Sequence, residues 1–139
     1  MRNRRWDILI AAIVVVLFGL LTVLSGGRAL FGGAEDRAAV GDAVPFVLWF
    51  NFLAGFAYVA AGIGLVLSTG WATRLSIGIL VATVLAMIAF GVHVLLGGAY
   101  EMRTVWAMCL RTVVWGIVVG LAVRDPDRSA SVSRDERRY

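Results

Sequence analysis

The stretch GGAYEMRTVWAMCLRTVVW, residues 97–115, carries an arginine well inside an apolar run. Arg111 follows Met-Cys-Leu and precedes Thr-Val-Val. A charge in a hydrophobic segment is costly, and in membrane helices such a residue usually faces the bundle interior and marks a functional site. The stretch therefore predicts a transmembrane helix whose buried cation is a candidate binding residue.

The composition of the whole chain is typical of a membrane protein. Its 139 residues are 60% hydrophobic, whereas about half the residues of a soluble domain are apolar. All thirteen basic residues are arginine, and the net charge is +4. On so apolar a chain, a basic excess indicates anchoring at the cytoplasmic face of a lipid bilayer, and we expect no nucleic-acid partner. Cys109 is the single cysteine, which excludes an intramolecular disulfide and any CxxC motif.

Four apolar segments are long enough to cross a membrane as helices. They are predicted at about residues 7–24, 45–67, 75–96 and 104–123. Pro45 suits the first turn of the second helix, where its missing N–H costs nothing. We expect an all-α, integral membrane four-helix transmembrane bundle over residues 1–123. A polar cytoplasmic tail follows at 124–139, and it cannot bury enough apolar surface to fold alone.

The distribution of arginines predicts the orientation of the bundle. One side carries Arg2, Arg4, Arg5, Arg74, Arg124, Arg128, Arg134, Arg137 and Arg138. The other side carries Arg28, Arg37 and Arg103. The positive-inside rule places both termini in the cytoplasm, as in a multi-pass protein of the cell inner (cytoplasmic) membrane. The glycine-rich loop 25–44 then lies outside, either as a plain surface loop or as a lid, with a short helix over 34–40.

Three polar residues of the spans lie at similar depths. With a rise of about 1.5 Å per residue, Arg111 lies about 10 Å, Asn51 about 9 Å and His93 about 5 Å below the outer edge. One face of the second helix carries Asn51, Gly55, Tyr58 and Gly62. The two glycines allow another backbone to approach closely, so this face points into the bundle. The sequence therefore predicts a polar layer in the outer half.

The fourth helix adds a stripe to this layer. Glu101, Arg111 and Trp115 follow helical spacing along one face. Side chains lean toward the N-terminus of their helix, so we expect Arg111 to reach toward Glu101. A salt bridge to Glu101, or to Asp42 or Glu35 of the long loop, would neutralise the guanidinium.

Each polar residue has a structural and a functional interpretation. Arg111 either staples the bundle through a carboxylate or clamps an anionic ligand with its planar donor fork. His93 is either a hydrogen-bonded residue at a helix end, or a proton carrier or metal ligand. We predict no catalytic residue and no metal site, and the sequence identifies no cofactor. The predicted ligand-binding residues are Arg111, His93, Asn51, Tyr58, Glu101 and Trp115.

The run FNFLAGFAYVAAGIGLVL, the turn TGWATR and the run LSIGILVATVLAMIAFGVHVL resemble the DoxX-like and SURF4-like group of small membrane proteins. The resemblance covers about residues 46–96 and implies a four-helix membrane fold. It also implies redox-associated or accessory roles, one branch of the group being thiosulfate:quinone oxidoreductase subunits. Members often have a carboxylate in helix two, where Asn51 stands here. The resemblance therefore implies no catalytic residue.

Together these features predict a small membrane binding or accessory protein. Its outward-facing polar pocket would hold a small amphiphile, a lipid head group or a quinone. It would work as a homo-oligomer or within a larger membrane complex. The alternatives are a small oligomeric transporter or channel and a redox-associated membrane enzyme subunit. Transport normally needs a continuous polar path, and the inner half of the predicted spans offers only hydroxyls and small residues.

Overall fold

A computed structural model describes residues 2–67 and 69–124 of the chain. Within these ranges the chain forms α-helices and no β-strand. The helices are α1 (Arg2–Phe31), α2 (Ala34–Val40), α3 (Pro45–Val66), α4 (Gly70–Leu95) and α5 (Met102–Val123). All but α2 are long and apolar enough to cross a membrane. This confirms the prediction of an all-helical chain with four such helices. The predicted tail lies outside the described residues, apart from Arg124.

The first long helix extends beyond the predicted span 7–24 in both directions. The segment from residue 25 was predicted as a glycine-rich loop, yet α1 continues through Gly26 and Gly27, where α3 packs against it. A Cβ built on Gly26 would lie only 3.1 Å from the Phe52 Cβ, so the glycine lets the two helices meet. The Phe31 ring then packs edge-on against Trp49 and Phe52. Tertiary packing has overridden the low helix propensity of glycine.

The connection between α3 and α4 is shorter than the predicted turn 68–74, because α4 already begins at Gly70. The amide and the hydroxyl of Thr69 both donate to the Gly64 carbonyl, at 3.1 and 3.0 Å. A Cβ on Gly64 would lie 2.8 Å from the Trp71 ring, so Trp71 packs directly on the end of α3. The end of α3 and the start of α4 are therefore closely packed at this glycine.

The four long helices run alternately up and down. One end of the bundle holds α2 and the segments 41–44 and 96–101; we call it the loop end. The opposite end holds the start of α1, Leu67 and Thr69 between α3 and α4, and the end of α5; we call it the turn end. In the packing order, α1 lies against α3, α3 against α4, and α4 against α5, whereas α1 and α5 touch only slightly.

Small residues allow α1 and α3 to approach closely. A Cβ on Gly55 would lie 2.6 Å from the Val23 side chain and 3.0 Å from the Gly19 carbonyl oxygen. A Cβ on Gly62 would lie 3.0 Å from the Ala12 carbonyl oxygen. A side chain at either glycine would require the facing valine and the facing backbone to shift. This seam accounts for the polar face of α3 pointing inward, as the glycine spacing predicts.

The apolar core is divided into two clusters along the bundle axis. The larger cluster fills the turn-end half and includes Tyr58, Trp115 and Val118. The smaller cluster, near the loop end, includes Phe90 and Met108. On α5, Arg111 lies between the Met108 and Trp115 positions, so the guanidinium occupies the boundary between the two apolar clusters.

Candidate functional site

Arg111 is the centre of the candidate site, and only 5% of its surface is exposed. Its Nη1 donates to the Asn51 side-chain oxygen on α3 and lies 3.7 Å from the Met108 sulfur. The guanidinium carbon lies 5.8 Å from the ring centroids of both Phe18 and Tyr58. A cation at such a distance from an aromatic ring is attracted by the electron-rich face. Arg111 therefore links α5 to α1 and α3 across the bundle.

Three uncharged polar side chains complete the interior layer below Arg111. Tyr58, Thr83 and Trp115 are fully buried, each with 0% exposure. The Tyr58 and Trp115 rings lie 4.9 Å apart between centroids. The Tyr58 hydroxyl lies near Thr83 and Trp115, but it forms no hydrogen bond of ordinary geometry with either. These three polar groups therefore lie close together without a well-formed hydrogen bond among them.

Four polar atoms in or below the Arg111 guanidinium have no hydrogen-bond partner within the described ranges. The Arg111 Nε, the Trp115 Nε1, the Tyr58 hydroxyl and the Thr83 hydroxyl are all buried without a hydrogen-bond partner. Buried polar groups in proteins are nearly always hydrogen-bonded, so several orphans in one place need an explanation. Two of them, Arg111 Nε and Trp115 Nε1, can only donate. We name these four residues, with Asn51, the Arg111 layer.

Three other hydroxyl groups of the long helices, on two buried residues and one half-buried residue, do have hydrogen-bond partners. Thr22, Ser76 and Thr112 each donate to the carbonyl four residues earlier on their own helix, at 2.7 to 2.9 Å. This back-bonding is the usual solution for hydroxyls in apolar helices. Thr83 and Thr73 lack such a bond, although both are buried. The Thr83 hydroxyl has the Tyr58 hydroxyl nearby, and the Thr73 hydroxyl has no hydrogen-bond partner among the described residues.

The predicted salt bridge of Arg111 is wrong. In the described ranges no ion pair joins Arg111 to Glu101, to Asp42 or to Glu35, and its polar partners are Asn51 and Met108. The Glu101 carboxylate instead accepts a hydrogen bond of 3.0 Å from the Asp42 amide. Asp42 presents its amide there because the turn passes through Gly41 at a φ of 64°, a conformation that favours glycine.

A second contact joins the same two segments at the loop end. The Arg103 guanidinium donates to the Ala39 carbonyl, close to the C-terminus of α2, at 2.6 Å. Positive charge at that position also interacts favourably with the last carbonyls of a helix. Glu101 and Arg103 therefore fasten α2 and the turn after it to the start of α5. Whether this segment acts as a lid stays a prediction.

His93 belongs to the loop end and not to the Arg111 layer. Its Nε2 lies 3.1 Å from the Ala99 carbonyl oxygen, and its ring packs edge-on against Phe46. No hydrogen bond joins His93 to Arg111 in the part of the chain that the structure describes. The two residues share an approximate depth, but His93 turns to the segment that follows its own helix.

The structure thus brings together four of the six residues predicted as a site: Arg111, Asn51, Tyr58 and Trp115. His93 and Glu101 lie apart from them at the loop end. Sequence reasoning missed Phe18 and Thr83. Thr83 shares a helix face with Ser76, seven residues earlier, a spacing that could have placed both in the interior. Phe18 gave no signal, being one of many apolar residues in α1.

The described residues offer little to a metal ion. Over 2–67 and 69–124, no group of three His, Cys, Asp or Glu side chains is arranged to hold one. The donors of the Arg111 layer are a guanidinium, an indole, hydroxyls and an amide, and these suit an acceptor-bearing organic group better than a cation.

Fold and site together define a multi-pass helical membrane protein with a buried, donor-rich arginine site. Comparison of the chain with protein-family models, curated proteins and solved structures gives no match. The resemblance to the DoxX-like and SURF4-like group therefore stays a prediction.

Proposed function

We propose that the protein is a small integral membrane binding or accessory protein that holds the polar head of an amphiphile, a lipid head group or a quinone, at Arg111. The arginine distribution supports an inner (cytoplasmic) membrane location with both termini in the cytoplasm. In that orientation the loop end faces outward. Arg111 and Asn51 then lie in the outer halves of their helices, and Tyr58, Thr83 and Trp115 lie near mid-span. The protein would act alone, as a homo-oligomer or as a subunit of a larger complex.

The observation that carries the proposal is a buried guanidinium without a carboxylate partner among the described residues. A charge removed from water is costly unless it is paired and hydrogen-bonded. Asn51 supplies one acceptor but no negative charge, and Arg111 Nε remains unpartnered. A purely structural staple would be expected to end on a carboxylate or to satisfy its donors within the protein. The unmet donors support a role in holding a bound group.

The residues of the layer have distinct roles in this proposal. Arg111 holds the head of the ligand with its Nε face. Asn51 fixes the guanidinium through Nη1, and Phe18 and Tyr58 keep it in place by ring contacts. Trp115 supplies a further donor from the next turn of α5. Glu101 and His93 would contribute by closing the loop end above the ligand.

The test is identification of what co-purifies with the protein after mild detergent extraction, by native mass spectrometry. We expect a bound amphiphile in the unaltered protein and its loss in Arg111→Leu. Arg124→Leu is the matched control, because it removes a positive charge from an exposed position at the end of the same helix. Retention of the same species by a folded Arg111→Leu protein would rule out the clamp and leave Arg111 as a structural staple.

A second candidate function, a small oligomeric transporter or channel, has one observation in its favour. The unbonded hydroxyls of Thr83 and Thr73 lie on α4 and lead from the Arg111 layer toward the turn end. Between them, however, Ser76 bonds its own helix and Ile79 is buried among apolar residues. Solute flux into vesicles containing the protein, lost in Thr83→Val, would favour this function over binding alone.

A further inference from the structure

We infer that the head of the bound amphiphile is an oxyanion, a carboxylate or a phosphate, and not a neutral carbonyl or hydroxyl group. This inference rests on the proposed function and specifies its ligand class. Two independent properties of the Arg111 layer support it: the uncompensated charge and the excess of hydrogen-bond donors.

The first property is electrostatic. Among the described residues, Arg111 is the one charged residue in the buried set; the other polar members are threonines and a serine. No acidic side chain of the described chain reaches it. The nearby rings of Phe18 and Tyr58 offer only partial negative charge at their faces. A ligand that brings a full negative charge removes the cost of burying the guanidinium, whereas a quinone or an alcohol does not.

The second property is the count of donors against acceptors. Arg111 Nε and Trp115 Nε1 can only donate, and neither has an acceptor in the described part of the chain. The Tyr58 hydroxyl lies close to Thr83 and to Trp115. The hydroxyls of Tyr58 and Thr83 can accept, but each also brings a proton of its own, so donors still outnumber acceptors. The one acceptor oxygen that Asn51 provides already receives Arg111 Nη1. A carboxylate or phosphate presents several acceptor lone pairs and no obligatory donor. Arginine also matches such groups geometrically, because its planar fork can make two parallel hydrogen bonds to them.

Bound water alone would explain the unsatisfied hydrogen-bond donors, but not the uncompensated charge of Arg111. Ordered water molecules would satisfy the orphaned donors, since buried water typically bonds such groups. Water carries no charge, so the guanidinium would stay uncompensated in the apolar interior. A free inorganic anion would supply the charge, but it would have to reach a residue that is nearly fully buried within membrane-spanning helices. An anion attached to an acyl chain reaches the bundle from the bilayer itself.

The experiment compares ligands that carry different head groups on the same alkyl chain. It uses the unaltered protein in nanodiscs of zwitterionic lipid. Binding of hexadecanoate, hexadecyl phosphate, methyl hexadecanoate, hexadecanol and an isoprenoid quinone is measured by native mass spectrometry. Hydrogen bonds to charged groups are worth roughly 1.5–3 kcal/mol, so we expect the two anions to bind about ten- to a hundredfold more tightly than the ester and the alcohol. Acetate and inorganic phosphate, without a tail, form the other arm and should bind at least about tenfold more weakly than hexadecanoate.

Variants then test whether residues of the Arg111 layer cause the preference for anionic ligands. Arg111→Gln should abolish the preference for anions, and Trp115→Phe, which removes one donor, should weaken hexadecanoate binding about fivefold or more. Trp106→Phe is the control for the latter, because Trp106 lies on the same helix with 72% exposure. Circular dichroism and size-exclusion chromatography identify any variant that fails to fold, and the ligand comparison on the unaltered protein does not depend on them.

The outcomes separate the inference from the proposed function. Binding of the ester, the alcohol or the quinone as tightly as hexadecanoate overturns the oxyanion and leaves amphiphile binding intact. Acetate or phosphate binding as tightly as the long-chain anions overturns the membrane source of the ligand. Absence of binding for every amphiphile overturns the proposed function and the inference with it.

Discussion

Two arginines of α5 lie about 12 Å apart along the helix and are satisfied in different ways. Arg103, at the loop end, is exposed and donates to a backbone carbonyl of α2. Arg111 is buried, bonds the side chain of Asn51, and leaves Nε without a partner. Water and backbone suffice for the first guanidinium. The second guanidinium is buried, and the described residues satisfy only part of its hydrogen-bonding capacity and none of its charge. This difference points to Arg111 as the functional residue of the pair.

The largest effect on this comparison should come from Asn51→Leu. The substitution removes the side-chain oxygen that accepts from Arg111 and leaves the guanidinium with the Met108 sulfur and ring contacts. We expect a loss of about 2–3 kcal/mol in the free energy of unfolding, because a buried charged donor is stranded. Unfolding in mixed detergent micelles, followed by circular dichroism, measures it.

The double variant Asn51→Leu with Arg111→Leu is the control for that measurement. It removes both partners, so the loss should fall well below the sum of the two single losses. A cost below about 0.5 kcal/mol for Asn51→Leu alone would contradict the contact as the main anchor of Arg111.

A smaller effect, with the opposite sign, is expected from Thr83→Val. The Thr83 hydroxyl is buried without a partner, so an isosteric apolar side chain should stabilise the ligand-free protein by up to about 1 kcal/mol. Thr112→Val is the matched control, because its hydroxyl bonds the Met108 carbonyl and its removal should bring no gain. The same unfolding measurement applies. Clear destabilisation by Thr83→Val would mean that the hydroxyl already has a partner, such as water.

The smallest effect should come from the loop end. Glu101→Ala removes the acceptor of the Asp42 amide, and we expect at most about 1 kcal/mol of global stability to be lost. The sharper readout is hydrogen–deuterium exchange, which should accelerate at Asp42 and in α2. Glu101→Gln keeps an acceptor oxygen and should preserve most of the protection. Unchanged exchange in Glu101→Ala would show that this bond does not hold the turn.

The sequence predicts the spans well because each depends on local properties. The apolar runs have the length that a bilayer needs, and Pro45 marks the start of α3, where the structure has it. The end of α1 was missed because two glycines look like a loop in sequence. In the bundle they are contact points, and only the partner helix reveals that.

The sequence predicted how deep the site residues lie along their helices, but not which way their side chains point. A fixed rise per residue places Arg111, Asn51 and His93 at comparable depths. It does not set the rotation of α4 or the course of the chain after it, and these turn the His93 ring toward the Ala99 carbonyl. Glu101 was expected to lie near Arg111, but the positive φ of Gly41 brings a backbone amide to it first. Whether Glu101 bonds to Arg111 or to the Asp42 amide is therefore determined by the tertiary structure and not by sequence spacing.

The glycine seam between α1 and α3 has a consequence for biogenesis. These two helices leave the ribosome before α4 and α5, and their small residues let them associate in the bilayer before the later helices arrive. The resulting hairpin already displays Asn51 and Tyr58. We therefore expect α5, which is synthesised after this hairpin, to leave the insertion machinery more readily because the hairpin offers polar partners to Arg111.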